Sequence, residues 1–409
     1  MSSPEPLDRR GAGVSPADAA GAGETPALRR PNARLVSLDA FRGATIAGML
    51  LVNNPGSWGA IYPPLAHARW HGWTPTDTIF PSFLWIVGVS LTLSTARRVE
   101  SGADRGQLFR HVLQRATIIF GLGLLLTAFP FGLWPGHSLN LETLRIPGVL
   151  QRIALCYLAA SAIFLRTSWR GQVAWAVALL LGYWALVTLV PVPGYGAGGI
   201  DQPKGSLAWW IDSHVLAGHT WSGAPAPGFD PEGILSTLPA IATVLCGTLA
   251  GYWLRGARDG TRTALGFVAG GVALLVLGTA WGAVFPINKN LWTSSYVLVM
   301  AGWSSLWFGV FYWAIDVRGW RRWALPFTIY GMNALAMFVL AGVVARLLDL
   351  IRWTDGAGTK ISLKGAIYDG FLLHWLSPVN ASLAFAVGFV LVFLAIATLL
   401  WRRGWFIKV

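Results

Sequence analysis

Several polar and ionisable side chains of this sequence lie inside or beside long apolar stretches, where a bilayer makes them energetically costly. They are Asn53, His67, Arg152, Glu232 and Lys289. Such groups at membrane depth usually mark a reaction site or a substrate path. His67 can act as a base near neutral pH, because an unperturbed imidazole has a pKa of about 6.5. The carboxamide of Asn53 can donate a hydrogen bond to an oxyanion.

Each of these side chains also has a structural interpretation that the sequence leaves open. An interfacial histidine is often only a satisfied hydrogen-bonding group, and Asn53 can simply cap the helix that it ends. Glu232 is electrostatically favoured at a helix N-terminus without any function. Lys289, in a tight polar loop, is a plausible partner for Glu232. Arg152 requires a partner, for which an Asp or Glu in another span is the usual choice; structural pairing and anion binding are both open for it.

Further polar residues lie near the ends of predicted helices. Asp39 and Arg42 are three residues apart, so they share a helix face and can pair. The pair either anchors its helix or lets Arg42 bind an anionic ligand that arrives from the cytoplasm. Asn333 puts an amide inside the ninth predicted span. Thr74 to Asp77 is a predicted helix start, with Thr74 as the N-cap and Asp77 at the third helical position.

No general catalytic motif accompanies these residues. Their clusters contain no HxxxD pair, no GxSxG elbow, no Walker loop and no His/Cys grouping at metal-ligand spacing, so we predict no metal. The two cysteines, Cys156 and Cys246, lie in apolar stretches and are interpreted as core residues. Residue chemistry alone predicts only a membrane protein with a polar outer-leaflet site around His67.

The composition indicates a membrane protein. Of 409 residues, 54% are hydrophobic and only 12% are charged, whereas a soluble domain carries roughly 25% charged residues. We predict an all-α, polytopic fold of about ten transmembrane helices, most of them near the roughly 17–25 residues that cross a bilayer. The predicted spans are 40–54, 77–96, 114–130, 148–165, 172–190, 232–254, 263–285, 292–315, 324–346 and 380–401.

The net charge of +13 is interpreted as a topology signal and not as a nucleic-acid-binding surface, because the basic residues fall in short loops between spans. They concentrate in the N-terminal tail and in segments 97–113, 166–171, 255–262, 316–323 and 402–409. The positive-inside rule makes this side cytoplasmic, with both termini there. Residues 1–33, rich in Ala, Gly, Pro and Ser, are predicted to be a disordered cytoplasmic tail, and 34–409 to form the membrane domain.

Longer strings in these segments resemble one known family. The strings are Ser37 to Gly43 (SLDAFRG), Val52-Asn53, His67 to Gly72 (HARWHG), Arg145 to Arg152 (RIPGVLQR), Pro191 to Gly194 (PVPG), Asp230 to Leu235 (DPEGIL), Asn288 to Trp292 (NKNLW) and Gly331 to Asn333 (GMN). In this order, from about residue 34 to the C-terminus, they closely resemble the heparan-alpha-glucosaminide N-acetyltransferase family.

The resemblance implies a polytopic membrane acetyltransferase that takes acetyl from cytoplasmic acetyl-CoA and delivers it to the amino group of a glucosamine on the far side. The family's active-site histidine corresponds to His67, and its active-site asparagine to Asn53. We predict that the donor is bound by Arg42, Asp39, Arg152 and Asn333, and the acceptor by Asp230, Glu232, Lys289, Asn290 and Trp292. The resemblance also implies a homodimer, and the arginine-rich loops fit a bacterial inner membrane protein.

The chain departs from the lysosomal member of the family close to these motifs. His71 stands where that enzyme has an asparagine, and Ala341 where it has a histidine. One alternative is therefore an acyltransferase of the same fold with another glycan acceptor. A second alternative is a sugar or anion transporter, which is favoured by the short first span and the membrane-embedded Arg152. The lack of an internal repeat weakens this alternative. The sequence also leaves open whether His67 carries acetyl transiently or takes a proton during direct transfer.

Overall fold

The computed structural model describes residues 35–407, without residues 137, 257, 355 and 357. The tail predicted for residues 1–33 lies outside this part of the chain. The described residues form thirteen α-helices and one two-stranded antiparallel hairpin. The helices are α1 (Val36–Asn53), α2 (Ile79–Glu100), α3 (Arg105–Ala128), α4 (Val149–Arg166), α5 (Trp169–Leu189), α6 (Leu207–Val215), α7 (Thr237–Arg255), α8 (Gly260–Trp281), α9 (Ser294–Tyr312), α10 (Leu325–Met332), α11 (Ala334–Leu350), α12 (Leu363–Tyr368) and α13 (Pro378–Arg402), and the strands are β1 (Arg352–Thr354) and β2 (Lys360–Ser362).

Eight described helices are long and apolar enough to cross a membrane, namely α2 to α5, α7 to α9 and α13. The helices α10 and α11 form a ninth candidate span that bends by 83° at the residue between them, Asn333. The helix α1 coincides with the first predicted span; it carries Asp39 and Arg42 and is not among the eight. Each predicted span thus corresponds to a helix or a bent pair, and the prediction of an all-α polytopic membrane protein is confirmed.

The helix α1 lies inside the bundle against α10. A Cβ atom added at Gly43 would lie 1.7 Å from the carbonyl oxygen of Phe327, and one added at Gly331 would lie 1.9 Å from that of Asp39. Two helix backbones approach this closely only where glycine leaves room for them. The contact therefore fixes the start of α1, with its ion pair, beside the bend of the ninth span.

The helix α2, which begins close to His67, is held on two sides. A Cβ atom added at Gly88 would lie 2.0 Å from the carbonyl oxygen of Val244 in α7. On another side, the rings of Trp85 in α2 and Phe308 in α9 have centroids 5.5 Å apart, and both side chains are fully buried. Close packing of this kind leaves little freedom for α2 to move, so its first turn is a rigid support for a site.

The ends of the helices form two groups, which we call the first end and the second end. At the first end, where α1 begins, the amide of Ser37 donates to Asp316 and Arg255 pairs with Glu100. These contacts join loops that the charge pattern predicts on one side of the membrane. The second end contains the segment after α1, the segment before α7 and the loop between α8 and α9. There Gly72 N donates to the carbonyl of Ile287 at 2.7 Å.

Candidate active site

The histidine predicted to be catalytic is paired with a buried aspartate. His67 Nδ1 lies 2.6 Å from Asp77 Oδ1, and the Asp77 side chain is fully buried whereas that of His67 is 43% exposed. The other carboxylate oxygen, Oδ2, accepts hydrogen bonds from the amides of Ala68 and Thr74 at 3.0 and 2.9 Å. The hydroxyl of Tyr296 donates to the Asp77 carbonyl at 2.6 Å. The carboxylate is therefore fixed in place and accepts the Nδ1 proton, which leaves Nε2 as the basic nitrogen.

The sequence predicts Asp77 only as part of a helix start, which is a structural role. The predicted helix start is confirmed, since Thr74 and Asp77 form a capping box at the 3-10 turn Pro75–Thr78 that leads into α2. A capping box explains an aspartate without any chemistry. Because a carboxylate has two oxygens, Asp77 caps the turn with one and orients His67 with the other, and the second task is visible only in three dimensions.

Lys289 lies beside the same imidazole. Its Nζ is 3.0 Å from Nδ1 and 3.2 Å from Nε2 of His67, and 3.7 Å from Asp77 Oδ1. Both distances are within hydrogen-bonding range, and because Asp77 takes the Nδ1 proton, the Lys289 amine is the described group that faces Nε2. Burial lowers the pKa of Lys289, against the opposing effect of the carboxylates of Asp77 and Glu232. Lys289 is thus a constrained amine in direct contact with the candidate base.

The loop that carries Lys289 is built around the buried side chain of Asn288. The Asn288 Oδ1 accepts from Leu291 N at 2.9 Å, and its backbone amide donates to Thr293 Oγ1 at 3.0 Å. Its Nδ2 lies 3.3 Å from Nδ1 of His71. The loop is therefore docked on the segment that holds both histidines. Asn290, predicted to bind the acceptor, is half-buried in this loop.

His71 has both ring nitrogens near protein partners. Its Nδ1 faces Asn288, and its Nε2 lies 3.3 Å from Asp201 Oδ1, on an aspartate whose side chain is 89% exposed. This arrangement positions the loop, whereas the Asp77 contact of His67 is shorter and fully buried on the carboxylate side. The geometry therefore distinguishes the two histidines in the same way as the family resemblance does.

Asn53 ends α1 and lines a cavity of about 240 Å³ between α1, α3, α4 and α11. Gln151, Arg145 and Arg346 also line this cavity, together with apolar side chains, but His67 does not. The Nε2 of Gln151 is buried without a hydrogen-bond partner among the described residues. Three carboxamides, at 53, 54 and 151, thus line one space at the second end. No hydrogen bond in the described part of the chain joins Asn53 to His67.

The predicted pairing of Glu232 with Lys289 is wrong, because Arg145 is the nearer cation. Arg145 Nη2 donates to Glu232 Oε2 at 2.7 Å, and its Nε and Nη2 bind the carboxylate of Asp230 at 2.8 and 2.7 Å. Burial would lower the pKa of Arg145, but these hydrogen bonds and charges raise it. Burial would likewise raise the pKa of Glu232, but Arg145 and the nearby cations hold it below its usual value. The cluster fixes the start of α4 against the segment before α7.

Arg152 is fully buried, and the carboxylate predicted as its partner is not the group that it binds. Its Nη2 donates to the carbonyl of Gly233 at 3.1 Å and to the hydroxyl of Ser236, and its guanidinium lies 5.1 Å from the ring centroid of Trp292. Because Arg145 already pairs with Glu232, Arg152 contacts a carbonyl, a hydroxyl and an aromatic ring in place of a carboxylate. The structure also places Arg152 at the second end, away from Arg42. The sequence predicts that both arginines bind the donor.

Two of the predicted acceptor-binding residues are too enclosed to contact a sugar directly. Trp292 is 1% exposed and donates from Nε1 to Thr243 Oγ1 at 3.1 Å. Asp230 is 1% exposed, and its carboxylate is taken up by Arg145 and by the amides of Trp221 and Glu232. These two side chains therefore hold neighbouring residues of the site in place.

The remaining donor-site predictions lie together at the first end. Arg42 Nη1 binds Asp39 Oδ1 at 3.1 Å, which confirms the predicted pair, and Nη2 donates to Ser90 Oγ at 3.0 Å. Asn333, at the bend, donates from Nδ2 to the carbonyl of Trp405 at 3.1 Å and accepts from the amide of Ile407 at 2.8 Å. The C-terminal segment thus covers the Asn333 amide.

These features define a helical, multi-pass membrane protein with a carboxylate-oriented histidine at one end of the bundle. The family model described as heparan-alpha-glucosaminide N-acetyltransferase, catalytic, matches residues 34–280. Heparan-alpha-glucosaminide N-acetyltransferase of Mus musculus is 30% identical over 374 residues, covering 80% of this chain and 56% of the relative. The Homo sapiens enzyme of the same name is 30% identical over 354 residues, covering 75% and 52%.

The chain therefore belongs to the heparan-alpha-glucosaminide N-acetyltransferase family, as the sequence motifs predict. It spans about half the length of the curated relatives that it matches. The matched region contains Asn53, His67 and Asp77, whereas Lys289 and Asn333 lie beyond its end.

Proposed function

We propose that the protein is a membrane N-acetyltransferase that moves acetyl from cytoplasmic acetyl-CoA to the amino group of a glucosamine-type sugar on the periplasmic side. One observation carries the proposal: His67 Nδ1 lies 2.6 Å from a buried carboxylate, and its Nε2 faces the amine of Lys289 at 3.2 Å. An oriented imidazole whose second nitrogen faces an amine has the arrangement that acyl transfer to an amine requires.

The chemistry begins with the acceptor, whose amine is partly protonated near neutral pH and must lose a proton before it attacks. In direct transfer, His67 Nε2 takes this proton while the amine nitrogen bonds to the thioester carbonyl carbon and the sulfur leaves. Alternatively, His67 first carries the acetyl group and then yields it to the sugar. In both routes Asp77 stabilises positive charge on the ring.

We assign oxyanion stabilisation to Asn53. A donor of this kind contributes about 2.7–4 kcal/mol to the transition state. The cavity that Asn53 lines combines apolar side chains with the amides of Asn54 and Gln151. The half-buried groups of Glu232, Lys289 and Asn290 would contact the acceptor, with Asp230 and Trp292 holding them in place.

The donor would bind from the first end, where Arg42, Asp39 and Asn333 lie together. Arg suits CoA phosphates because its planar guanidinium forms paired hydrogen bonds. We further propose a bacterial inner-membrane location with both termini cytoplasmic, supported by the clustering of basic loops at the first end. A homodimer is proposed on the family resemblance alone.

This function is tested by placing the donor and the acceptor on opposite sides of a membrane. The purified protein is reconstituted into sealed vesicles with labelled acetyl-CoA on one side and glucosamine on the other. We expect thiol release on the donor side and acetylated sugar on the opposite side. Orientation is checked with single cysteines at Ser101 and Ser222, which are exposed at opposite ends. Acetylation that requires donor and sugar on the same side would contradict the proposal.

The transporter alternative gains one observation from the structure. The ninth span is broken at Asn333 with a bend of 83°, and discontinuous helices form substrate sites in many transporters. Sugar uptake by the same vesicles without any CoA would favour a transporter. A screen of other glycans with thiol release as the readout separates the second alternative, an acyltransferase with another acceptor.

A further inference from the structure

The amine of Lys289 is held against the group that would activate acetyl transfer. Its Nζ lies 3.0 and 3.2 Å from the ring nitrogens of His67. The loop cannot easily withdraw, because Asn288 ties it internally and Gly72 N binds the carbonyl of Ile287. An acetyl group presented to His67 is therefore presented to this amine as well.

We propose that Lys289 is an internal acetyl acceptor, which becomes Nε-acetylated at the site of His67 when acetyl-CoA is bound and no sugar is present. The proposal rests on the acetyl-transfer function proposed above. It assigns a modification site to a residue that the sequence assigns to acceptor binding.

The step is balanced with the thioester as the only co-reactant. The Nζ lone pair attacks the acetyl carbonyl carbon, an N–C bond forms and the C–S bond breaks. The amine proton passes to Nε2 of His67 and then to the departing thiolate. Lysine amine and acetyl-CoA thus yield acetyllysine and free CoA thiol, with no oxidant or reductant.

Because Lys289 is held next to His67, it should be acetylated faster than an exposed lysine. A nucleophile held next to a bound reactant gains a large effective concentration. Burial lowers the pKa of Lys289, so the reactive neutral amine is more populated than for an exposed lysine at the same pH. Lys204 is exposed, and no histidine contacts it in the described part of the chain, so it serves as the internal reference.

Acetylation would also change the site. The amide formed carries no charge and cannot pair with Asp77, which now lies 3.7 Å from the Nζ. The added acetyl group would occupy space in front of the imidazole. Protein incubated with donor alone should therefore lose sugar-acetylating activity in step with the fraction of Lys289 labelled.

The test uses the full chain in lipid nanodiscs with deuterated acetyl-CoA and no sugar, followed by digestion and mass spectrometry. We expect labelling at Lys289 at least about tenfold faster than at Lys204. His67→Ala and His67→Gln should each slow labelling of Lys289 by about 10²-fold or more, while His214→Asn, whose ring contacts Trp210 and Ser213 in α6, should leave it nearly unchanged. Lys289→Arg should carry no label at this position.

Equal labelling of Lys289 and Lys204, or labelling of Lys289 that persists without His67, would overturn the proposal. A parallel reaction with sugar separates this failure from failure of the function itself. Sugar acetylation without label on Lys289 would refute the internal acceptor and leave the transferase standing. Absence of both products would refute the two proposals together.

Discussion

The two ends of the helical bundle satisfy their polar side chains differently. At the first end, Arg42 and Asn333 bind protein groups on α2, α10 and the C-terminal segment. One hydroxyl there, Ser37 Oγ, is buried without a partner among the described residues, whereas at the second end Gln151, Arg152 and Asp212 each bury an amide, guanidinium or carboxylate atom in that condition. Buried polar atoms are usually paired, so such atoms cluster where a ligand or water completes a site.

We infer from this difference that acetyl transfer takes place at the second end. The first end is a charged network that a donor phosphate would have to enter by replacing existing contacts. The second end has an imidazole oriented by a buried carboxylate, and carboxamides that line a cavity. We therefore expect substitutions at the second end to lower the rate of transfer, and substitutions at the first end to weaken donor binding.

The largest effect is expected from Asp77→Asn. The amide keeps the shape of the cap but no longer fixes the basic tautomer of His67, so acetyl transfer should fall by about 10²–10⁴-fold. Donor affinity, measured by equilibrium binding of acetyl-CoA, should stay near the wild-type value. Glu100→Gln, at the far end of α2, the helix that the Asp77 turn leads into, is the control. Wild-type rates in Asp77→Asn would mean that the dyad is only a helix cap.

A large loss of stability is expected from Arg145→Met. Removing the guanidinium leaves Asp230 and Glu232 buried beside each other without their cation, and breaking such a pair costs about 3–5 kcal/mol. The melting temperature in detergent should drop strongly. Arg262→Met breaks a pair with Asp259 that is largely exposed and should change the melting temperature little. Similar changes in both variants would show that the second-end cluster does not hold the fold.

A moderate effect is expected from Arg42→Ala at the first end. Loss of one phosphate-binding guanidinium should raise the KM for acetyl-CoA about tenfold and leave the KM for the sugar nearly unchanged. Arg105→Ala is the matched control, because Arg105 lines a separate cavity of about 310 Å³ at the same end. A larger rise in Arg105→Ala than in Arg42→Ala would move the donor site to that cavity.

A smaller, pH-dependent effect is expected from Asp212→Asn. Burial raises the pKa of Asp212 to about 7, with the Asp230 charge adding to this effect. The folded state then holds a proton that the unfolded state releases at lower pH, so stability falls as pH rises through about 4 to 7. The wild-type melting temperature should be a few degrees lower at pH 8 than at pH 5.

Asp212→Asn should reduce that pH difference, because the neutral amide keeps an oxygen for the Ile234 amide. The exposed Asp349→Asn is the control and should follow the wild-type profile. A pH profile that is the same in wild type and Asp212→Asn would show that Asp212 does not titrate in this range.

The sequence predicts the helices well because apolar runs of membrane length have few alternative structures. It predicts the Asp39–Arg42 pair because residues three apart on a helix must face the same side. It fails where partners are distant in sequence: Glu232 binds Arg145 and not Lys289. Nor does it show that Asp77 orients His67, since its capping role already accounts for that residue. The order of the predicted spans does place Arg152 at the outer start of the fourth span, on the side away from Arg42.

The most direct test of the central claim compares two histidines in one loop. His67→Ala and His71→Asn are prepared in parallel, matched for expression and acetyl-CoA binding, and assayed for acetyl transfer to glucosamine in sealed vesicles. We predict that His67→Ala abolishes transfer, a loss of about 10²–10⁴-fold, while His71→Asn keeps most of it, since His71 only positions the loop through Asn288 and Asp201. The reverse ranking would contradict the assignment of His67 as the catalytic base.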